Sequence, residues 1–343
     1  MRVAMLCSAH GFGHVTRQLA LARHLLDRGG EAVFFTAAPP DVLQLYLPAV
    51  TVRSWAIDVG LIQQDGLTQD LPATCDALLA RCHDDAIDAL ATELVGFDLA
   101  LVDAPPPGME ACRRAGVPTI AVGNFSWPWI YDRLPDPGLH DWARRFRDWQ
   151  RPHRAISLWP GPGLSDHDFA GVERFGLVGR QATPHPLPPG AILVSFGGFG
   201  LRDLDRLLPR IDGIRWVLAP PMPALDRSDC LYVEAVPYPA LVAGAEMVLT
   251  KPGYGIFAEA ALGRTRLLWV DRGAFPEAAF IAQAMTDRGD LPLGPVHAPD
   301  FAARLRDAID VSRRQGAPAP MADDTARLAG RLFTPSASAR LRS

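Results

Sequence analysis

Short apolar runs alternate with amphipathic stretches along most of this chain, and this alternation limits the folds that it can adopt. Residues 2–8 form an apolar run that predicts a buried strand, and residues 16–28 carry leucines and alanines at helical spacing. Because a strand–helix–strand unit places its two strands parallel, the repeated alternation predicts the α/β class, with doubly wound parallel sheets covered on both faces. Further strands are predicted at 31–36, 50–56, 99–103, 119–123, 155–158, 191–196, 214–218, 231–235, 247–250 and 265–270. Further helices are predicted at 75–94, 109–115, 139–150, 202–210, 256–262, 277–287, 300–314 and 323–332.

The length of 343 residues favours two domains, and a proline-rich segment indicates where they meet. Residues 176–190 read GLVGRQATPHPLPPG, with four prolines and no helical or strand periodicity. We predict an N-terminal α/β domain over 1–180, a linker over 181–190, a C-terminal α/β domain over 191–333 and a frayed tail over 334–343. Two such sheets would face each other across a cleft, and open parallel sheets bind ligands at the carboxyl ends of their strands.

Charge and cysteine content exclude several kinds of partner. The formal net charge is -4 and the pI is about 6.1, so we expect neither nucleic acid nor an anionic membrane as the main partner. The five cysteines include no CxxC pair, which favours reduced thiols, no zinc site and a cytoplasmic chain. We also expect no signal peptide and no transmembrane segment, because no apolar run approaches the roughly 18 residues that span a bilayer.

The first strand is followed by the turn His10-Gly11-Phe12-Gly13-His14. Its two glycines allow a ligand to approach the backbone closely, and the exposed N–H groups of the following helix favour an anionic or hydroxyl-rich ligand. His14 falls at the helix N-terminus, where the helix dipole favours the neutral imidazole that a general base requires. The alternative interpretation is a glycine-rich turn with an incidental histidine.

Asp103 ends the predicted strand at 99–103 and should lie at the same sheet edge as His14. Its carboxylate could accept a hydrogen bond from one ring nitrogen while the other nitrogen takes a proton from an acceptor, which predicts a catalytic His–Asp dyad. A loop or helix-capping aspartate is the alternative.

The segment 124–131, NFSWPWIY, follows another predicted strand. Aromatic rings beside amide and hydroxyl groups are typical of a surface on which a sugar or an apolar acceptor stacks. Packing between the domains is an equally good explanation. Together with the first turn, this segment gives the candidate acceptor-binding residues His10, Gly11, Phe12, Gly13, Asn124, Ser126, Trp127 and Tyr131.

Two turns of the second half could hold phosphates. The turn at 195–200, SFGGFG, can present backbone N–H groups to a diphosphate. The turn at 251–255, KPGYG, begins with Lys251, the only lysine in a chain with 34 basic residues, which suggests a requirement for a compact ammonium group. Chance retention of one lysine is the alternative.

Two glutamates follow these turns. Glu259 could accept hydrogen bonds from ribose hydroxyls, and Glu277 could reach hydroxyls attached to the diphosphate. For Glu277, helix capping is the alternative. The candidate donor-binding residues are Gly197, Gly198, Phe199, Gly200, Lys251, Gly253, Tyr254, Gly255, Glu259, Phe275 and Glu277.

Six ordered motifs carry a resemblance that no one of them would support alone. HGFGH, VDAPP, GNFSWPWIY, SFGGFG, KPGYGIFAE and DRGAFPE resemble those of two-domain GT-B glycosyltransferases over about residues 1–315. The chain is most similar to the branch that resembles the N-terminal half of L-arabinokinases and, more distantly, to the peptidoglycan N-acetylglucosaminyltransferases.

The resemblance implies two Rossmann-like domains, an N-terminal one that binds the acceptor and a C-terminal one that binds the nucleotide sugar. It implies that the SFGGFG and KPGYG turns hold the diphosphate, that Glu259 binds the ribose and that Glu277 lies near the donor sugar. His14 matches the base histidine of many inverting members, and Asp103 matches the aspartate that orients it.

The sequence departs from this branch where it has Pro128 in place of an aspartate, and Ile256 and Ala258 in place of hydroxyl residues. Loss of the hydroxyls leaves backbone N–H groups and Lys251 to hold the phosphates, so donor affinity or donor identity could differ from that of the relatives.

From these residues we expect an inverting, metal-independent glycosyltransferase with a nucleoside-diphosphate sugar, UDP type first, as co-substrate and no other cofactor. UDP, dTDP and GDP all stay open as the donor base, and so do the acceptor and the oligomeric state. A nucleotide-sugar hydrolase, with water as acceptor, and a catalytically silent nucleotide-sugar-binding module are the alternatives.

Overall fold

The computed structural model describes residues 1–62, 69–197, 204–273 and 275–334. The described residues form two compact units. The first contains 1–62, 69–178 and 323–334, and the second contains 179–197, 204–273 and 275–322. Among the described residues, no helix combines the length and the apolar character needed to cross a bilayer.

The first unit is built on a parallel sheet. Its described strands are β1 (Arg2–Cys7), β2 (Glu31–Thr36), β3 (Thr51–Ser54), β4 (Leu99–Asp103), β5 (Thr119–Gly123), β6 (Arg154–Leu158) and β7 (Gly171–Phe175). Their order is β3-β2-β1-β4-β5-β6-β7, so the direction of winding reverses between β1 and β4. At this switch point Cys7 pairs with Asp103, which brings the carboxyl ends of the two strands together.

Helices cover both faces of this sheet. They are α1 (Phe12–Leu26), α2 (Pro40–Gln44), α3 (Leu71–Arg81), α4 (Asp84–Leu94), α5 (Pro106–Ala115), α6 (Trp127–Tyr131) and α7 (Pro137–Gln150). Alternate strand residues enter two apolar clusters: Met5 packs on one face and Leu6 on the other. Burial on both faces explains why the strands read as continuous apolar runs.

The second unit repeats the plan with a smaller parallel sheet. Its described strands are β8 (Ala191–Ser195), β9 (Arg215–Leu218), β10 (Cys230–Tyr232), β11 (Met247–Thr250), β12 (Arg266–Val270) and β13 (Leu291–Gly294), in the order β10-β9-β8-β11-β12-β13. Its described helices are α8 (Leu204–Leu207), α9 (Tyr238–Gly244), α10 (Tyr254–Gly263), α11 (Ala278–Asp287) and α12 (Phe301–Gln315). Winding reverses between β8 and β11, where Ser195 pairs with Thr250. The structure thus has the two doubly wound parallel sheets that the alternation predicts.

The last described helix, α13 (Thr325–Leu332), groups with the first unit rather than with the residues that precede it. It packs on α1, where Leu328 and Leu332 join the apolar cluster of the first sheet. The predicted C-terminal domain over 191–333 includes this helix. The sequence of an amphipathic helix shows which face is apolar but not which sheet that face covers. The position of α13 next to the second unit in the chain therefore does not identify the sheet on which it packs.

The proline-rich segment also differs from a free linker. Residues 179–190 group with the second unit, and the His185 N–H donates to the Ala240 carbonyl at 2.9 Å. A Cβ at Gly244 would lie 2.0 Å from the His185 carbonyl oxygen, so this part of the segment lies close against α9. The division between the units falls at Val178 and Gly179.

The predicted helix at 75–94 is two helices, and its local sequence explains the break. The His83 side chain accepts from the Ala86 N–H at 3.3 Å and caps α4, whose first turn carries Asp84 and Asp85. The strands β7 and β13 are absent from the prediction because both are edge strands with few fully buried residues. The helix α9, whose first turn contains a proline, is absent from it as well.

The fold buries one histidine in a way that makes stability depend on pH. His153 follows α7 and is 8% exposed, and among the described residues its Nε2 has no hydrogen-bond partner. Burial lowers the pKa of His153, against a raising contribution from the Met109 backbone. The His153 imidazole therefore binds a proton more readily in the unfolded chain than in the folded one. Because of this difference, the wild type should lose stability as the pH falls below about 6.5.

We predict that His153→Gln removes this loss. The free energy of unfolding in urea, taken as the variant's value minus that of wild type, should therefore increase from about pH 7 to about pH 5. The exposed His167 provides the matched control, since His167→Gln should follow wild type. Parallel pH dependences of wild type and His153→Gln would contradict the prediction.

Candidate active site

The candidate site of the first unit begins at the turn between β1 and α1. Gly11 has φ 86°, a left-handed conformation that side chains other than glycine rarely adopt, and it caps α1 without a side-chain hydrogen bond. The turn places His14 in the first helical turn, directly beyond the end of β1. Gly11 is therefore required by the backbone path.

His14 and Asp103 lie in contact. The Nδ1 atom of His14 is 2.7 Å from Oδ1 of Asp103, and the two residues are 6% and 0% exposed. The pairing of β1 with β4 accounts for the contact, since Asp103 ends the strand beside the one that leads into α1. The structure thus brings together the two side chains that the sequence suggested as a dyad.

Arg17 is a third member of this group that the sequence analysis did not single out. It follows His14 by three residues on α1 and is 5% exposed. Its Nε donates to Asp103 Oδ2 at 2.6 Å and its Nη2 to Asp103 Oδ1 at 2.9 Å. Spacing was the available signal, because residues three apart share a helix face.

Asp103 is held in its charged form. Burial alone raises its pKa, but the charge and hydrogen bonds of Arg17, together with the His14 contact, outweigh burial and leave the pKa below the usual value. An ionised carboxylate can only accept hydrogen bonds, so the Nδ1 atom of His14 carries a proton and donates it to Oδ1. Nε2 is then the ring nitrogen with a lone pair.

The aromatic segment supports the site from inside rather than presenting a face. Trp127 and Tyr131 are both 0% exposed, so an acceptor has no ring surface on them. Trp127 Nε1 donates to Asp58 Oδ2 at 3.1 Å, and the Tyr131 hydroxyl donates to the Gly60 carbonyl at 2.8 Å. These bonds hold the loop after β3 against the segment.

Three other predicted acceptor residues, Asn124, Ser126 and His10, contact neighbouring parts of the first unit. The Asn124 side chain donates to the carbonyls of Leu158 and Pro160 and accepts from Arg17. Ser126 caps α6 by accepting from the Trp129 N–H at 3.4 Å. The His10 ring packs edge-on against Trp127, with the ring centroids 5.3 Å apart.

Asp58 is a site residue that the sequence analysis missed, because no motif marks the loop after β3. Burial raises the pKa of Asp58, against the lowering effect of hydrogen bonds from Ser8 and Trp127 and of the nearby His14. A second carboxyl group therefore lies close to the imidazole, held by Trp127.

In the second unit, the two predicted phosphate turns leave neighbouring strands. Gly197 follows β8 with φ 71°, and the Thr250 hydroxyl at the end of β11 donates to the Ser195 carbonyl at 2.7 Å. The predicted residues Gly198, Phe199 and Gly200 lie outside the described residues. Gly253 caps α10 without a side-chain hydrogen bond, and Tyr254 and Gly255 begin that helix.

Lys251 stands at the start of this turn as a cation that has no counter-ion in the described part of the chain. Burial and the neighbouring Arg272 lower its pKa to about 8, and no ion pair or hydrogen bond of its side chain is present among the described residues. Arg272 donates to Glu277 Oε1 at 3.0 Å, and its guanidinium lies 4.4 Å from the centre of the Phe275 ring. Lys251 thus contributes uncompensated positive charge beside the start of α10, and an anion would relieve this cost.

Glu259 is buried in α10 and paired with Arg180. Arg180 Nε donates to Glu259 Oε1 at 2.7 Å, and Arg180 Nη2 lies 2.6 Å from the same oxygen. Burial raises the pKa of Glu259 while Arg180 opposes this effect. The structure therefore places Glu259 in a buried ion pair with Arg180.

Comparison with known proteins identifies the fold. No protein-family model matches the chain. The chain is similar to an L-arabinokinase of Arabidopsis thaliana, with 26% identity over 300 residues that cover 80% of this chain and 28% of the relative. It therefore spans 28% of the length of that relative.

Solved structures with a similar fold superpose on nearly the whole chain. The glycotransferase of kitacinnamycin superposes with a TM-score of 0.60 at 18% identity, covering 99% of this chain and 93% of its own. The glycosyltransferase VinC, in complex with dTDP, superposes with a TM-score of 0.57 at 18% identity, covering 100% and 94%. With the two parallel sheets, these likenesses confirm the GT-B fold and the resemblance from which it was predicted.

The unpaired ammonium group of Lys251 predicts pH-dependent binding of an anion. A bound diphosphate favours the charged lysine, so affinity should decline as the pH rises through about 8, where the free protein releases this proton. In Lys251→Arg the charge persists, so inorganic pyrophosphate should bind with an affinity that declines less between about pH 7 and pH 9. Lys251→Met should bind about tenfold or more weakly.

Isothermal titration calorimetry with pyrophosphate tests this difference, and the comparison with Lys251→Arg at each pH cancels the ionisation of the ligand itself. Equal pH dependence in wild type and Lys251→Arg, or full affinity in Lys251→Met, would show that Lys251 does not bind the anion.

Proposed function

We propose that this chain is an inverting, metal-independent glycosyltransferase that moves a sugar from a nucleoside-diphosphate sugar to an acceptor hydroxyl or amine. The observation that carries the proposal is the buried imidazole of His14, held by an ionised carboxylate so that Nε2 has the lone pair. A histidine in this state is the usual general base for deprotonating a nucleophile.

In the proposed reaction, His14 Nε2 takes the proton of the acceptor O–H or N–H group. The acceptor atom attacks the anomeric carbon from the face opposite the diphosphate, and the bond between that carbon and the diphosphate oxygen breaks with its electron pair leaving on the phosphate. The configuration at the anomeric carbon inverts. Asp103 accepts the Nδ1–H hydrogen bond throughout and stabilises the imidazolium that forms.

The charge that develops on the leaving diphosphate is assigned to the second unit. Lys251 supplies an ammonium group, and the N-terminus of α10 supplies backbone N–H groups. Such groups can stabilise the departing phosphate without a metal ion. We assign the ribose to Glu259 and the donor sugar to the neighbourhood of Glu277, as the resemblance implied.

One comparison supports a nucleotide-sugar donor. VinC was solved with dTDP, and it shares the fold over the full length of this chain. We keep a UDP-type donor as the first candidate and a cytoplasmic location, which the five free thiols favour.

One observation favours a second candidate, a nucleotide-sugar hydrolase. The full burial of Trp127 and Tyr131 removes the stacking surface that a large acceptor would use. Water could then be the acceptor that His14 deprotonates. The two candidates differ in whether an added acceptor accelerates release of the nucleoside diphosphate.

We predict that His14→Ala lowers donor turnover by about a thousandfold, the usual contribution of a general base, while the affinity for the nucleoside diphosphate stays within about twofold of wild type. Turnover is measured as UDP release from UDP-sugars with and without added acceptors, and affinity by calorimetry. His24→Ala, on the same helix, is the control and should keep full turnover.

Turnover that survives His14→Ala at the wild-type rate would refute the assigned base. Absence of any thermal shift with UDP, dTDP or GDP would refute the assigned donor, since a ligand that binds only the folded state raises its stability.

A further inference from the structure

Arg17 joins the base to a wider buried network. Besides its two bonds to Asp103, it donates through Nη1 to the Asn124 side-chain oxygen. Asn124 in turn donates to the carbonyls of Leu158 at 3.1 Å and Pro160 at 2.7 Å. One guanidinium therefore connects α1, the end of β4, the end of β5 and the loop after β6. Its planar fork fits this task, because it offers several donors in a fixed geometry.

The contacts of Arg17 restrict where the protons of the site can be. Nη2 of Arg17 lies 3.0 Å from His14 Nδ1, and Asp103 Oδ1 lies 2.7 Å from the same nitrogen. If Nδ1 had no proton, it could accept a hydrogen bond from Arg17. Its lone pair would then point at a lone pair of the Asp103 carboxylate, and the two would repel each other. Because Arg17 keeps Asp103 ionised, the arrangement that satisfies both contacts to Asp103 has the proton on Nδ1.

Arg17 also changes the electrostatics of the dyad. A carboxylate alone would stabilise the imidazolium strongly, since two opposite charges at hydrogen-bond distance attract each other more in a buried site than in water. The positive charge of Arg17 offsets that of Asp103, so His14 contacts a pair with no net charge.

We propose that Arg17 is the positioning residue of this site, which keeps Asp103 charged, fixes the proton of His14 on Nδ1 and offsets the carboxylate charge so that Nε2 stays an acceptor. Its role as an aid to catalysis rests on the proposed function, whereas its effect on the His14 tautomer does not. Arg17 itself touches neither reacting atom in this scheme, and it acts through Asp103.

The first test needs no variant of Arg17 and no substrate. In the full chain labelled with ¹⁵N-histidine at neutral pH, the ¹⁵N NMR signals that disappear in His14→Gln belong to His14. They should show a protonated Nδ1 and an unprotonated Nε2. A wild-type tautomer with the proton on Nε2 would overturn the proposal.

The second test removes the guanidinium. In Arg17→Met, Asp103 either keeps its charge and stabilises the imidazolium or takes a proton and donates it to Nδ1. Both outcomes place a proton on Nε2, so the fraction of His14 protonated at Nε2 at neutral pH should rise severalfold. Arg17→Lys keeps the charge without the fork and should show a smaller rise.

The exposed Arg23 on the same helix provides the control, since Arg23→Met should keep the wild-type tautomer. Circular dichroism checks that each variant is folded. If Arg17→Met does not fold, the His14 tautomers in Arg17→Lys and in wild type test the proposal. An unchanged tautomer in folded Arg17→Met or Arg17→Lys would overturn the proposal. The expected tautomers in a chain that turns over no nucleotide sugar would support the positioning role and remove the proposed function.

Discussion

The first unit depends on one buried negative charge. Asp103 has no contact with solvent, and an isolated carboxylate in such a place costs several kcal/mol unless donors surround it. The donors are His14, Arg17 and, at 3.4 Å, Gln18, and all three lie on α1. Because they come from a single helix, the start of α1 fixes the site, and Gly11 with its left-handed backbone fixes the start of α1.

The second unit has the opposite electrostatic arrangement. Asp103 is charged and compensated, whereas Lys251 is charged, partly buried and beside a second cation. A lysine in such a position destabilises the protein by itself, and retention of uncompensated charge at a strand end is typical of a ligand site. The two units thus differ in what they require: the buried charge of the first is compensated within the protein, whereas the charge of Lys251 would be compensated by the anion that we propose.

Much of the fold was accessible from the sequence because buried parallel strands and glycine turns leave a local signature. The His14–Asp103 contact was accessible too, since His14 follows β1 and Asp103 ends β4 at the same sheet edge. Arg17 and Asp58 were not found. Arg17 looks like any helical arginine until Asp103 is known to lie beside it, and Asp58 reaches the site from a loop that follows an edge strand and carries no motif.

The aromatic segment shows a different limit. From the sequence, Trp127 and Tyr131 fit a stacking surface for a ligand as well as they fit buried packing between parts of the protein, because the sequence does not show whether their rings are buried. In the structure both rings hold the loop of Asp58 and Gly60. The partner of α13 was inaccessible for a related reason, since an apolar helix face does not specify which sheet it covers.

A crystal structure of the chain with bound UDP tests the account most directly, because the account assigns a diphosphate to one particular unpaired cation. We predict phosphate oxygens within hydrogen-bond distance, about 3 Å, of the Lys251 ammonium group, with the ribose against Glu259. A diphosphate bound elsewhere in the chain, with Lys251 still lacking an anionic partner, would contradict it.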